Sequence, residues 1–371
     1  MTALMTTPLH DFHIAHGGSM VEFAGWDMPV HYTAGLLAEH KHTREAASLF
    51  DVSHMGQVLL RGDGLDTAGA ALETLTPASV LGLKPWRQRY GLFTNAQGGV
   101  LDDFMFANHE THWFLVVNAA RTDHDLELLQ QVDGLDVEHV TSRALLAVQG
   151  PKAEEELARL VPGVTSMIFM DSKLLDWDGT ELWVSRSGYT GEDGFEVSLP
   201  AERAVEFAEA LLAGDVVRPA GLGARDSLRL EAGMCLYGHD LSPDITPAQA
   251  DLGWAVPKVR RPGGCRAGGY PGADIVAGEL TDGASRVRVG LRPDGRAPVR
   301  EGARIFADDT STEPIAEVTS GSFSPTLRAP VAMAMMPHGY AVGDAVFAEL
   351  RGKRVRCTVA ELPFIPLNYK R

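Results

Sequence analysis

The chain has 371 residues, 45% hydrophobic and 22% charged, which describes an ordinary globular protein long enough for two or three domains. Its 33 basic and 49 acidic residues leave a formal charge of −16, which disfavours nucleic acid and anionic membrane surfaces as partners. Cys235, Cys265 and Cys357 form no CxxC pair, and neither a signal-type start nor a bilayer-length apolar run is present, so a cytoplasmic protein without disulfides is expected.

His10, His13 and His16 are spaced by three, but a helical pair of histidines four apart with a glutamate between is missing, so no metal site is expected. Apolar spacing predicts a helix over residues 33–48, with Thr33 as cap and Leu36, Leu37, His40 and Ala47 on one side. A strand follows over 57–60. The polar turn Asn95-Ala96-Gln97-Gly98-Gly99 then leads into a strand carrying Asp102 and Asp103. Adjacent residues of a strand face opposite sides, so one of these acids points inward. A carboxylate there is costly to desolvate without a partner or ligand. On local grounds, an acid that merely caps the turn is an equal alternative.

Residues 144–148 read as a buried strand and 152–160 as a helix stopped by Pro162-Gly163. Gly188, Gly191 and Gly194 recur at every third position around Tyr189, Glu192, Asp193 and Glu196, a tight turn that can bring a ring and carboxylates to a planar ligand. Taken alone, it reads sooner as a surface hairpin of Gly and Asp. Residues 201–212 have helical spacing. Gly221-Leu222-Gly223 lacks the third glycine and the preceding strand of a dinucleotide site, and reads instead as a helix start with Arg225 and Arg229 one turn apart. The helix dipole disfavours a guanidinium there, so Arg225 is expected to find an acid or carbonyl, with Asp226 or Glu231 the near candidates. Beyond residue 255 a Gly-rich loop gives way to short alternating sets, Val287, Val289 and Leu291, then Val346, Ala348 and Leu350. That is the texture of a small β-barrel or sandwich appended to an α+β body. No phosphate loop and no nucleophile elbow is present. Basic residues gather at Lys84, Arg87 and Arg89, at Lys258, Arg260 and Arg261, and at Arg351, Lys353, Arg354 and Arg356, where an acidic partner can be steered.

Several motifs resemble the T-protein of the glycine cleavage system, the aminomethyltransferase family. They are Phe23-Ala24-Gly25-Trp26-Asp27-Met28-Pro29-Val30, Phe50-Asp51-Val52-Ser53-His54-Met55-Gly56, Gly98-Gly99-Val100-Leu101-Asp102-Asp103 and Gly188-Tyr189-Thr190-Gly191-Glu192-Asp193-Gly194-Phe195-Glu196. The segments 219–234, 317–327 and 363–369 continue the match in family order. The resemblance implies a three-domain cloverleaf around a central folate site. Residues 1–50 and 141–255 would form the first domain, 51–140 an inserted second, and 256–371 the C-terminal β-barrel.

It also implies transfer of the one-carbon unit from the aminomethyl-lipoyl arm of the H-protein to tetrahydrofolate, giving 5,10-methylene-tetrahydrofolate and ammonia. Asp103 falls on the family's essential aspartate. Glu196 falls on the glutamate that holds the pterin edge, Arg225 on the arginine of the folate site, and Tyr90, Tyr189 and Tyr369 on its aromatic or hydroxyl contacts. Met55 and Asn118 border the same hole. Ala107 stands where relatives often have tyrosine, Cys235 and His239 where they usually have Asn and Gln, and residues 261–273 are unusually Gly-rich. Two rival readings share the scaffold: a folate-dependent demethylase of a sulfonium or N-methyl amino acid, and a non-catalytic folate-binding protein. The second carries a Lys-Gly-Cys-Tyr-x-Gly-Gln signature of which only Gly264-Cys265 survives.

Overall fold

Three β-structures carry the computed structural model, which describes residues 3–371. The first is a six-stranded sheet in the order Ser172–Trp177, Thr180–Ser185, Gly194–Pro200, Arg143–Gln149, Ala47–Asp51 and Val217–Pro219. Every pair in it is antiparallel except the last. Strands Ala47–Asp51 and Arg143–Gln149 are neighbours although the intervening chain builds another sheet. That second sheet, all antiparallel, runs Gln88–Thr94, Val100–Asn108, Trp113–Val117, Gly56–Arg61 and Asp136–His139. The third is a closed six-stranded antiparallel barrel between Arg286 and Ala360. The α+β body with a C-terminal barrel is therefore as the sequence texture suggested, and closure leaves the barrel without an unpaired edge.

Each sheet has its own core. Leu146, Val148, Phe195, Val197 and Phe207 pack beneath the six-stranded sheet, Phe93, Phe104, Phe106 and Trp113 beneath the five-stranded one, and Leu291, Ile305, Val346 and Val359 inside the barrel. Burial of such side chains at about 25 cal/mol per Å² supplies the main driving force for each unit. The two sheets are stitched where the Gln88 N–H donates to the Met170 carbonyl (2.9 Å) and the Ser172 N–H to that of Trp86 (2.9 Å). Arg87 pairs with Asp171 across the same seam.

Local expectations shift in two places. The predicted helix over 33–48 is shorter, Leu36–Glu45, begins at Gly35 rather than Thr33, and leaves Leu37 exposed. Gly35 has φ +79°, a turn that glycine makes without strain, and Ala47 already belongs to the next strand. The Gly-rich stretch before the barrel is not all loop: it runs into helix Ala273–Asp282.

Candidate functional site

Strands Gln88–Thr94 and Val100–Asn108 pair so that Gln88 faces Ala107, Tyr90 faces Met105 and Leu92 faces Asp103. Directly opposed residues share a sheet face, which puts Asp103 on the side of Tyr90 and Asp102 on the other. The Tyr90 hydroxyl donates to Asp103 Oδ2 (3.0 Å) and the Asn118 amide to Asp103 Oδ1 (2.9 Å). Asn118 also reaches through the strand: its Nδ2 donates to Asp102 Oδ1 (2.9 Å) and its backbone N–H to Asp102 Oδ2 (3.2 Å). The turn-capping alternative therefore fails for both acids, since neither side chain holds its own turn. The turn is held by the Asn95 carboxamide Oδ1, which accepts from the Gln97 and Gly99 N–H groups.

Asp102 does not look out to solvent. It is fully buried and lies against Asp125 of helix Thr122–Gln130, itself fully buried, whose Oδ2 no donor reaches. No Lys or Arg pairs with any of the three acids among the described residues, so they cannot all ionise together. Burial and the neighbouring Asp102 charge push Asp125 up, to about 10. Burial first and the Asp102 charge second also push Asp103 up, to about 7. A carboxyl poised there can accept or give a proton at neutral pH. Asp125 carries no sequence signal, being one of several acids on its helix.

The loop of three glycines is organised by Gln149. Its Nε2 donates to the Ser187 carbonyl (2.9 Å) and its Oε1 accepts from Thr190 (2.9 Å). Only Gly191 needs a positive φ, +80°. Gly188 is required for space instead, because a Cβ there would sit 1.7 Å from Gln149 Oε1. Two of the loop's acids are held by cations: Glu192 by Arg44 (2.9 Å) and Asp193 by Arg186. Among the described residues Glu196 has no ion pair; its Oε2 accepts from Ser187 (2.6 Å). It lines a narrow cavity with Gln88, Met105, Ala107, Val116 and Leu145, so the wall at Ala107 does border open space.

Arg225, on helix Leu222–Glu231, lacks the acidic partner expected of it. Asp226 pairs with Arg229 (2.8 Å), and Glu231 with Arg44 (3.0 Å) and His40 (3.1 Å). The Arg225 guanidinium stacks 4.8 Å from the centre of the Tyr189 ring and touches Met55 Sδ at 3.9 Å, leaving Nη1 buried without a partner. Burial lowers its pKa, opposed by the nearby Glu196 charge. The Tyr189 hydroxyl donates to the Cys235 carbonyl. So Tyr90, Asp103 and Asn118 form one group, and Met55, Tyr189, Arg225 and the neighbouring Glu196 another.

Tyr369 belongs to neither group. It stacks on Phe169, ring centres 4.1 Å apart, on the tail that binds the Gly191 carbonyl through Asn368 N–H (2.9 Å). Trp254, 63% exposed and 5.3 Å from the Tyr90 ring, was not anticipated, and an isolated tryptophan in a loop gives no sequence signal. Gln88 could have been found, since it stands two residues before Tyr90 on the same strand face. His239 is peripheral, bonded to Glu301 (2.7 Å). Among the described residues no cluster of His, Cys, Asp and Glu could hold a metal ion.

Comparison with known proteins gives a consistent picture. Residues 9–260 match the GCVT N-terminal domain, and residues 286–365 the glycine cleavage T-protein C-terminal barrel domain. The mitochondrial aminomethyltransferase of Dictyostelium discoideum is 42% identical over 388 residues, covering 99% of this chain and 94% of that protein. The mitochondrial aminomethyltransferase of Mus musculus is 44% identical over 377 residues, covering 99% and 91%. The crystal structure of glycine cleavage system aminomethyltransferase T from Bartonella henselae superposes with a TM-score of 0.92 at 40% identity, covering 99% of this chain and 100% of that one.

Proposed function

The chain belongs to the glycine cleavage T-protein family, and from that premise we propose that it is an aminomethyltransferase. It would accept the aminomethyl group from the lipoyl arm of an H-protein and pass the one-carbon unit to tetrahydrofolate with release of ammonia. The observation that carries the reading is a set of groups the fold leaves unused among the described residues: Glu196 without an ion pair, Arg225 Nη1 without a partner, and Asp103 raised toward neutrality, with Tyr189 near both Arg225 and Asp103.

These residues fit a folate. A pterin edge presents adjacent amino and ring N–H donors, which suit the Glu196 carboxylate, and the anionic or carbonyl parts of a folate suit Arg225. When bound, tetrahydrofolate supplies the nitrogens that take the one-carbon unit. Tyr90 and Asn118 fix the two Asp103 oxygens, so the carboxyl is held in one orientation and its proton is exchanged at a defined place. As a carboxylate, Asp103 stabilises positive charge developing beside it; as an acid, it returns a proton to the leaving amine. Arg225 is kept in place by Tyr189 and Met55. We divide the chain for this purpose as read from sequence, residues 51–140 carrying Asp103 and Asn118, 141–255 carrying Glu196 and Arg225, and 256–371 closing the third side.

The demethylase and non-catalytic readings are not favoured, since the relatives that span this chain are named aminomethyltransferases. The three unpaired cysteines suit a reducing compartment, the cytoplasm by our reading, although those relatives are mitochondrial by name. No helix of the described residues is long and apolar enough to cross a membrane. The deciding experiment is ammonia release, expected only when aminomethylated H-protein and tetrahydrofolate are both supplied. Calorimetry of Glu196→Ala and Arg225→Ala tests the site itself: each should weaken tetrahydrofolate binding by about 1–3 kcal/mol, and unchanged binding in both would remove the pterin assignment.

A further inference from the structure

The cavity beside Glu196 contains a polar side chain to which neither the fold nor the reaction has yet given work. Gln88 is 6% exposed, lines the cavity, and its Nε2 is buried without a hydrogen-bond partner. A buried amide N–H left unmade is costly, so an acceptor is wanted there. None of the neighbouring polar groups is bonded to it: Ser185 Oγ is turned to Ser172 Oγ (3.0 Å), which also meets His109 Nε2 (2.9 Å). The remaining walls are apolar, from Met105, Ala107, Phe114, Val116 and Leu145. Facing Gln88 across its strand pair is Ala107, whose methyl group cannot fill the space or offer a hydrogen bond.

The backbone of Gln88 is fixed. Its N–H is bonded to Met170 across the seam of the two sheets, and the flanking Arg87 is pinned by Asp171. A carboxamide on such a rigid strand is already organised for a ligand and need not be ordered on binding. Glu196, on the same cavity, satisfies donors. An amide beside it satisfies an acceptor, and on a pterin the atom next to the ring N–H is the 4-oxo oxygen.

We propose that Gln88 is a specificity-determining contact of this chain, donating from its carboxamide to the 4-oxo group of the pterin ring whose N–H edge Glu196 accepts. This rests on the folate reading above. It adds the group on the ligand that is recognised and the residue that recognises it.

The test is a cycle that pairs one protein change with one ligand change. Calorimetry on the full-length protein measures dissociation constants of tetrahydrofolate and its 4-deoxy analogue, for wild type and for Gln88→Met, which keeps the volume and removes the amide. Gln88→Leu serves as a second variant, with thermal melting as the folding check. Wild type should bind the 4-deoxy analogue at least about tenfold more weakly than tetrahydrofolate, and both variants should bring that ratio down several-fold. An unchanged ratio in a folded variant overturns the contact, even where its overall affinity falls. Wild type that binds tetrahydrofolate but treats the two ligands alike also overturns it. Wild type that binds neither ligand overturns the folate reading and the inference with it.

Discussion

Two clusters of buried acids in this molecule meet opposite fates. Glu231 and Glu192 converge on Arg44, and Glu231 also takes His40, Ser324 and Thr326, tying helix Leu222–Glu231 to the N-terminal segment and to the barrel. Burial alone would raise Glu231, but His40, Ser324 and Thr326 outweigh it and hold the carboxyl at about 2. Asp102 and Asp125 are as deeply buried and Asp103 is half-buried, yet among the described residues the three receive no Lys or Arg, and burial with mutual repulsion drives them upward. An acid saturated with cations is part of the architecture. One left without them keeps its proton within reach of neutral pH, and that is where chemistry can be done.

The comparison breaks most visibly at Asp103. Asp103→Asn keeps the Tyr90 and Asn118 geometry but removes the exchangeable proton, and should cost about 10³–10⁴-fold in turnover. Its stability should not fall. A carboxyl raised in the folded state contributes stability below its unfolded pKa, and that contribution is lost as pH rises through the folded value of about 7. Thermal melting at pH 8 should therefore find the variant as stable as wild type or more so. A melting temperature well below wild type at pH 8 would mean that Asp103 is structural.

Arg44→Met should show the opposite profile. It strands Glu231 and Glu192 without their cation, at an expected cost of about 3–5 kcal/mol in urea unfolding. The sign with pH is reversed as well. Glu231, depressed in the fold, stabilises above its unfolded pKa and loses that contribution as pH falls through about 2. Acid unfolding of Arg44→Met should accordingly begin at higher pH than in wild type.

How far these clusters were legible in the sequence depends on the distance between partners. Face parity along a strand is local, and it correctly separated Asp103 from Asp102 once their strand Val100–Asn108 was recognised. What it could not supply was the other side of Asp102, because Asp125 comes from a helix 23 residues on, with nothing to mark it among its acidic neighbours. Arg225 departs from its expected pairing for a related reason. Its near acids, Asp226 and Glu231, are taken by Arg229 and by Arg44, the latter from a distant segment. The Gly188–Gly194 loop was read as a conformational device, whereas Gly188 is there to clear Gln149 of a strand 39 residues back. Tyr369 stands apart from the other candidates: it stacks on Phe169, and no contact joins it to Asp103, Glu196 or Arg225 among the described residues.

A finer cut tests whether Asp102 acts through its charge. It lies on the opposite face from Asp103 but is buried, so Asp102→Asn is not the silent control that an outward-facing acid would be. Removing the negative charge relieves Asp103 of its second cause of elevation, and the acid limb of the kcat/KM profile should move down by about one pH unit. Turnover should fall by no more than about tenfold. An unshifted profile would show that the raised Asp103 owes nothing to its neighbour.

The smallest expected effect concerns charges that are neither buried nor saturated. Of the three basic clusters, Arg87 is spent on Asp171, Arg89 on the Ser79 carbonyl and Arg260 on Glu73, so the first two are largely structural. The third sits on the barrel hairpin between strands Ala345–Leu350 and Lys353–Ala360. There Arg354 is held by Glu349, but Arg351 and Lys353 are exposed and, among the described residues, unpaired. In a chain of net charge −16 we propose them as the basic residues that steer an acidic carrier protein. Steering of this kind acts on association rate and is screened by salt. Reversing both, Arg351→Glu with Lys353→Glu, should raise the apparent KM for H-protein about two- to fivefold at low salt and flatten its ionic-strength dependence. Turnover with a free aminomethyl-lipoamide substrate should not change, because that substrate carries no docking surface. If H-protein kinetics keep the wild-type salt slope, the hairpin is solvated surface and the carrier docks elsewhere.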